Sequence, residues 1–263
     1  MCYDISYTVK VKELADYFPD LEFHGQLSLD FEGGAGGVHI MGHSYGEHPV
    51  IYRTSDDKLL CRAMEWGCIP FYVKEEKTFL RQRATMLNAR SERILEDTKS
   101  YWHKIKNRRC VIPVNGIYEH RAVKGWKKKV PYFIKLKDQE MFFLPGLYSV
   151  AELPDTETGE LLKRHTFTLI TRAANNLMAN IHNDGDNKNR MTLFLTKAFS
   201  DEWLGNNLSP DRYKEILDFE MPSEALDYKP VFTIRSAKLR ADDKQKNEYW
   251  EWEKLPALGE MNP

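Results

Sequence analysis

Two patterns in the sequence predict a single β-rich α+β domain. Short apolar runs of strand length dominate the chain, and the helical stretches between them are few and short. Strand and helix do not alternate regularly, which excludes a doubly wound parallel sheet. No internal repeat or Pro/Gly/Ser linker divides the 263 residues, and a chain of this length can bury a core without disulfide or metal staples.

Taken in order, residues 11–18 read as a short helix, and Gly33-Gly34-Ala35-Gly36-Gly37 as a turn too irregular to cradle a phosphate. Residues 50–52 and 59–66 form the arms of a hairpin around Ser55-Asp56-Asp57. A helix lies within 86–101, where Ser91, Ile94, Leu95 and Thr98 share helical spacing. Strands follow at 110–114, 132–136 and 140–144, the last continuing past a kink at Pro145 to Val150. Asn115-Gly116, after the first of these, is a strong hairpin signal. A strand at 165–171, a helix at 173–180, a strand at 191–195 and helices at 199–204 and 212–218 complete the pattern. The domain therefore spans 2–235, with 236–263 as a polar, loosely packed tail.

Hydrophobic residues make up 42% of the chain and charged residues 29%, which excludes disorder for its bulk. No apolar run is long enough for a membrane span, and the first residues lack the layout of a signal peptide. None of the four cysteines forms a C-x-x-C pair, so neither a disulfide framework nor a cysteine zinc site is expected; reduced thiols point to the cytoplasm. The net charge of −1 argues against nucleic acid, but it hides an asymmetry. Residues 81–130 hold 14 Lys/Arg against 4 Asp/Glu, a local +10 that leaves −11 elsewhere, and such asymmetry points to polyanion contact or to an uneven solvated surface.

Cys61, Cys68 and Cys110 sit among apolar neighbours and are expected in the core. Cys2 differs. Trimming of the initiator methionine makes it a 1,2-aminothiol, whose amine and thiol are both partly nucleophilic near neutral pH. Such a group condenses with an aldehyde, first as a Schiff base and then as a five-membered thiazolidine; otherwise Cys2 is merely the second codon.

Asn88-Ala89-Arg90-Ser91-Glu92, if extended, sets an amide, a guanidinium and a carboxylate on one side, suited to an anionic substrate. As a helix entry, Asn88 or Ser91 would instead be a cap. Glu119 follows two large apolar residues, and a desolvated carboxyl can work as an acid near neutrality; the alternative is an exposed strand end. His182 ends a helix beside Asn183-Asp184-Gly185-Asp186, a run without calcium-loop spacing. His39, His43 and His48 do not match a metal helix, and no metal or cofactor is expected.

The order of these fragments is more specific than any one of them. Met1-Cys2, Trp66-Gly67-Cys68-Ile69-Pro70, Asn88-Ala89-Arg90-Ser91-Glu92, Arg109-Cys110-Val111-Ile112-Pro113 with Gly116 and Tyr118-Glu119, and Ile181-His182 with Arg190-Met191 together resemble the SOS response-associated peptidase (SRAP) family, which shields abasic sites in single-stranded DNA. The resemblance implies a strongly bent, mixed or antiparallel, barrel-like sheet with short flanking helices and a positively charged groove. It implies Cys2 as the crosslinking residue, Asn88 as the residue positioning it, and Glu119 and His182 as catalytic. It implies Arg90 and Arg190 as phosphate-binding residues, Thr171 as a DNA contact and Trp66 as lying near a base-stacking wedge. The partner is then single-stranded DNA containing abasic sites, bound by a monomer, with crosslink reversal and a strand-cleaving lyase reaction as side activities.

Three departures stand out. Tyr3-Asp4 replaces the family's Gly-Arg, so Asp4 would repel a phosphate. Residues 183–189 separate His182 from Arg190 as a looped-out bulge, and Thr192 replaces a proline. His120 replaces a tryptophan after Glu119. Two other readings compete: a cysteine peptidase using Cys2, His182 and Glu119, and a non-catalytic single-strand DNA-binding module.

Overall fold

The expected hairpin is present and begins a ring of strands. The computed structural model describes residues 2–24, 39–155 and 157–263; the glycine turn expected at 33–37 lies outside them. The strands are β1 (Asp4–Ser6), β2 (Glu22–Phe23), β3 (Ile40–Met41), β4 (Glu47–Arg53), β5 (Leu59–Trp66), β6 (Asn88–Arg90) and β7 (Arg109–Val114). They continue as β8 (Gly116–Arg121), β9 (Val130–Leu136), β10 (Phe142–Pro154), β11 (Leu161–Ala173), β12 (Arg190–Thr192) and β13 (Leu226–Pro230). The helices are α1 (Glu76–Arg83), α2 (Glu92–Leu95), α3 (Tyr101–Lys104), α4 (Asn176–Ile181), α5 (Lys197–Leu204) and α6 (Pro210–Asp218).

Antiparallel pairing runs from β5 through β4, β7 and β10 to β11, and β11 then pairs in parallel with β5 at Thr166–Glu65 and Phe167–Trp66. That parallel seam closes the five strands into a mixed barrel, which removes the edges an open sheet would expose. A second, antiparallel sheet has the order β13-β9-β8-β1-β3. Period-2 alternation sorts the barrel side chains. Val50, Met64, Ile112, Leu144 and Leu169 pack with Ile5, Ile117 and Ile134 of the second sheet. Ile51, Cys61, Val111, Phe143 and Ile170 pack beneath Trp102, Trp203 and Ile216 of the helices. The β-rich α+β class and the barrel-like sheet are as expected, and no helix among the described residues is long and apolar enough to cross a membrane.

Three local expectations are corrected. Asn115-Gly116 does not turn a hairpin, because β7 pairs with β4 and β10 whereas β8 pairs with β1 and β9. The dipeptide is a crossover between sheets: Asn115 N–H donates to the Ser6 carbonyl, and Asn115 Oδ1 accepts from Thr8. Gly116 is required by close approach, since a Cβ there would lie 2.3 Å from the Phe133 ring. The single helix expected within 86–101 is instead β6 followed by α2, because β6 is captured by β11 as a parallel neighbour. As expected, the strand continues past Pro145, and β10 runs from Phe142 to Pro154. The tail is not loose: the buried Arg121 guanidinium donates to the carbonyls of Pro256, Ala257 and Glu260 at 2.8, 2.6 and 2.8 Å.

His48 is wholly buried, with Nε2 donating to the Pro113 carbonyl at 2.8 Å. Burial pushes its pKa down from 6.5 to about 4, so the folded protein holds it neutral. The unfolded chain takes up this proton first as pH falls, so His48 stabilises the fold fully above pH 6.5 and loses that contribution as pH drops through about 4. Roughly 3 kcal/mol is at stake. In urea unfolding series between pH 7 and pH 4, His48→Gln should show a flatter loss of stability than the parent; identical slopes would refute this role.

Candidate active site

β1 is an inner strand, paired with β8 at Ile5–Ile117 and Ser6–Gly116 and with β3 on its other side. This pairing draws Cys2 into the interior, where it is completely buried. Its Sγ lies 3.5 Å from the Asp4 carbonyl. β6 sits against β11 with Asn88 opposite Leu169, and from there Asn88 Nδ2 donates to the Cys2 carbonyl at 2.8 Å. Glu119 stands on β8 opposite Tyr132 of β9 and is buried as expected. Glu119 Oε1 and Asn88 Oδ1 are both buried acceptors without a hydrogen-bond partner. Buried polar atoms are rarely left so, and orphans of this kind call for a functional account.

Burial drives the Cys2 thiol well above its ordinary pKa, and the Glu119 charge adds to the rise; the Thr192 hydroxyl and the Asp4 backbone oppose it less strongly. The buried thiol is therefore held protonated. His182 ends α4, where its N–H donates to the Met178 carbonyl at 2.7 Å. Its Nδ1 lies 2.9 Å from the Arg190 carbonyl, which fixes the ring. Both Glu119 and His182 line a cavity of about 310 Å³, together with Tyr3, Asp4, Asp186 and Arg235.

The structure thus ties Cys2 to Asn88, sets Glu119 and His182 on one cavity that Cys2 and Asn88 do not line, and treats the other expected residues differently. Arg90 is exposed, with Nη2 donating to Asn187 Oδ1 at 3.1 Å. Arg190 clasps both Glu92 oxygens and donates to the Thr171 carbonyl at 2.9 Å. Thr171, expected as a DNA contact, is fully buried, and its carbonyl also accepts from Ser91 N–H. Trp66 is core, not wedge: it is 1% exposed, donates to the Leu87 carbonyl at 3.0 Å and stacks on Phe167 at the barrel seam. The +10 segment is no single stripe, because Arg83, Arg109 and Arg121 are buried. Arg83 joins Arg164, Glu65 and Glu76 in one ionic network.

Asp4 is not a bare repulsive charge. It is 1% exposed, with Oδ1 2.7 Å from His39 Nε2 and 3.0 Å from Arg235 Nε, and Oδ2 held by Arg235 Nη2. Burial alone would raise its pKa; the His39 and Arg235 hydrogen bonds outweigh that and hold it below the ordinary carboxylate value. The three histidines near it go separate ways: His39 to Asp4, His43 against the Tyr3 ring at 4.7 Å, His48 into the core. Sequence reading missed Arg235 and the place of Thr192 beside the thiol. A signal for the first was available: a carboxylate in the apolar run Cys2-Tyr3-Asp4-Ile5 needs a cation once buried.

The bulge at 183–189 is real. Asn189 N–H donates to the His182 carbonyl at 2.9 Å, which closes the loop at its base. Asn183 Oδ1 accepts from Ala122 N–H at 2.8 Å, and its Nδ2 donates to the Ala122 carbonyl and to Asn262 Oδ1. The loop is stapled to the end of β8 and to the C-terminal segment, and it sets Asp184 and Asp186 on the cavity rim.

The family model for SOS response associated peptidase (SRAP) matches residues 1–234. The abasic site processing protein YoqW of Bacillus subtilis (strain 168) is 35% identical over 155 residues, 59% of this chain and 62% of that protein. The abasic site processing protein YMR114C of Saccharomyces cerevisiae is 32% identical over 124 residues, 47% of this chain and 30% of that protein. The match thus spans less than two thirds of the length of these curated relatives. A crystal structure of a protein from Bacteroides thetaiotaomicron superposes with TM-score 0.73 at 27% identity, covering 94% of this chain and 97% of that one. One from Bordetella bronchiseptica, at TM-score 0.64 and 20% identity over 88% of this chain and 100% of that one, shares the fold.

Removing the Asn183 staple should loosen the rim. Asn183→Leu leaves the Ala122 amide and carbonyl unpaired, at a cost of about 1–3 kcal/mol. Hydrogen exchange should accelerate in 183–189 and around Asn262 while the barrel strands stay protected; unchanged exchange in both segments would count against the staple.

Proposed function

The chain belongs to the SOS response associated peptidase (SRAP) family, and from that premise we propose that it processes abasic sites in single-stranded DNA through a covalent bond to Cys2. The observation that carries this reading is the burial of Cys2 between an amide that holds its carbonyl and a carboxylate whose Oε1 has no partner. Curated relatives bearing abasic-site names support the substrate class.

The chemistry starts when loss of Met1 frees the Cys2 amine. An abasic deoxyribose is mostly a closed hemiacetal, and His182 moves the proton that opens it to the aldehyde. The amine attacks C1′, and the carbinolamine loses its hydroxyl as water when Glu119 or His182 supplies a proton. The Cys2 sulfur then adds to the imine carbon while the thiol proton passes through Glu119 to the nitrogen. One aldehyde and one aminothiol give one thiazolidine and one water, with no change of oxidation state. Ring closure removes the imine on which strand cleavage depends, and the same groups run backwards release the DNA. Asn88 fixes the Cys2 main chain so that amine and thiol reach one carbon.

Incubation with abasic single-stranded DNA should give a heat-stable adduct, which mass spectrometry places on Cys2 with Met1 absent. Cys2→Ala should yield only a borohydride-trapped imine. Glu119→Gln and His182→Ala should slow adduct formation by about 10²–10⁴-fold. A wild type that forms no adduct, or a Cys2→Ala variant whose heat-stable adduct is undiminished, would overturn the reading; hydrolysis of peptides without any DNA adduct would favour a peptidase.

A further inference from the structure

We infer that Arg235 is the phosphate-binding arginine of the cavity, delivered from just past the family-matched residues 1–234 to the place where residue 4 cannot serve, and that the buried Asp4 is its positioning residue. The inference rests on the abasic-site reading above and names a binding residue for it.

Three observations carry it. First, the lining of the cavity is rich in acid: Asp4, Glu119, Asp184 and Asp186 face it. A phosphodiester cannot enter unless cations answer them, and the two permanent cations on that lining are Lys129 and Arg235. Lys129 is paired with Asp184 at 2.9 Å. Arg190 is occupied by Glu92 and Thr171, and Arg90 by Asn187, outside that lining.

Second, Arg235 is held rather than left to wander. Its Nε and Nη2 edge lies on the two oxygens of Asp4, in the forked geometry that suits guanidinium and carboxylate. This engagement spends one edge and leaves the Nη1 hydrogens for a second oxyanion. The side chain is still 45% exposed. The residue before it, Ile234, is 4% exposed and packs with Tyr118, Phe133 and Val231. Tyr118 is the neighbour of Glu119 on β8, so one apolar cluster fixes the arginine and the carboxylate relative to each other.

Third, Arg235 lines the same cavity as Glu119 and His182. A phosphate on that guanidinium would therefore lie in the cavity those two groups face. Asp4 accounts for the design: a buried carboxylate at the head of β1 has Arg235 as its ionic partner and His39 within hydrogen-bond distance, and it turns a C-terminal loop arginine into part of the site.

The test uses full-length protein and single-stranded DNA carrying a tetrahydrofuran abasic analogue, which has no aldehyde and so reports binding alone. Arg235→Ala should weaken binding about tenfold and lower the slope of log affinity against log salt by about 0.7, one phosphate contact on a single strand. Arg235→Lys should keep the slope and recover part of the affinity. Asp4→Asn should weaken binding in the parent background and add nothing on Arg235→Ala, the non-additivity expected when one residue acts through the other. An Arg235→Ala protein of unchanged fold, with parental affinity and salt slope, overturns the inference. So does an Asp4→Asn effect that is fully additive. If the parent binds the analogue with these dependences but forms no adduct with a true abasic site, the covalent reading fails and the phosphate contact stands.

Discussion

The site depends on one short pairing. β1 is three residues long, yet it lies between β8 and β3 as an inner strand. Chain termini ordinarily fray at the surface unless they are tied down. Here, Ile5 opposite Ile117 and Ser6 opposite Gly116 bring the start of the chain into the core beside Glu119. The absence of a side chain at Gly116 lets Phe133 and β9 close over this junction, so the strand that carries Cys2 and the strand that carries Glu119 are packed as one unit.

Electrostatics follows from the same arrangement. The basic segment suggested a polyanion stripe, but its strongest members serve the fold. Arg121 gathers three tail carbonyls, and Arg83 joins a network in which burial of Glu65 is outweighed by Arg164 and Arg83, holding that carboxyl below its ordinary value. An arginine this deeply buried is retained for the groups it satisfies, because stripping it of partners costs several kcal/mol while an exposed pair contributes about 0–1 kcal/mol. The cations that remain near the cavity are few and come from distant parts of the chain.

The acidic bulge and the C-terminal segment are tied to each other. Asn183 binds Ala122 and Asn262, and Lys124 N–H donates to the Met261 carbonyl at 2.7 Å. Trp252 donates to the Val231 carbonyl at 2.9 Å, close to the loop that carries Arg235. A polar tail is thereby stapled to the bulge and to the segment after β8 by hydrogen bonds, which composition cannot reveal.

The sequence by itself determined the β-rich class, the hairpin of β4 and β5 and the sheltered thiols at 61, 68 and 110, and its ordered motifs carried the resemblance that implied a site at Cys2, Asn88, Glu119 and His182. These were legible because period-2 alternation and short ordered motifs are local properties of the chain. Tertiary structure alone decided the rest. Asn115-Gly116 became a crossover because β7 and β8 found other partners. Trp66 lies at the barrel seam, stacked on Phe167 where β5 and β11 pair in parallel. Asp4 gained Arg235 across 231 residues of chain. Each outcome turns on the competition among distant surfaces for the same buried space, and neither local propensity nor spacing along the chain encodes which surface wins.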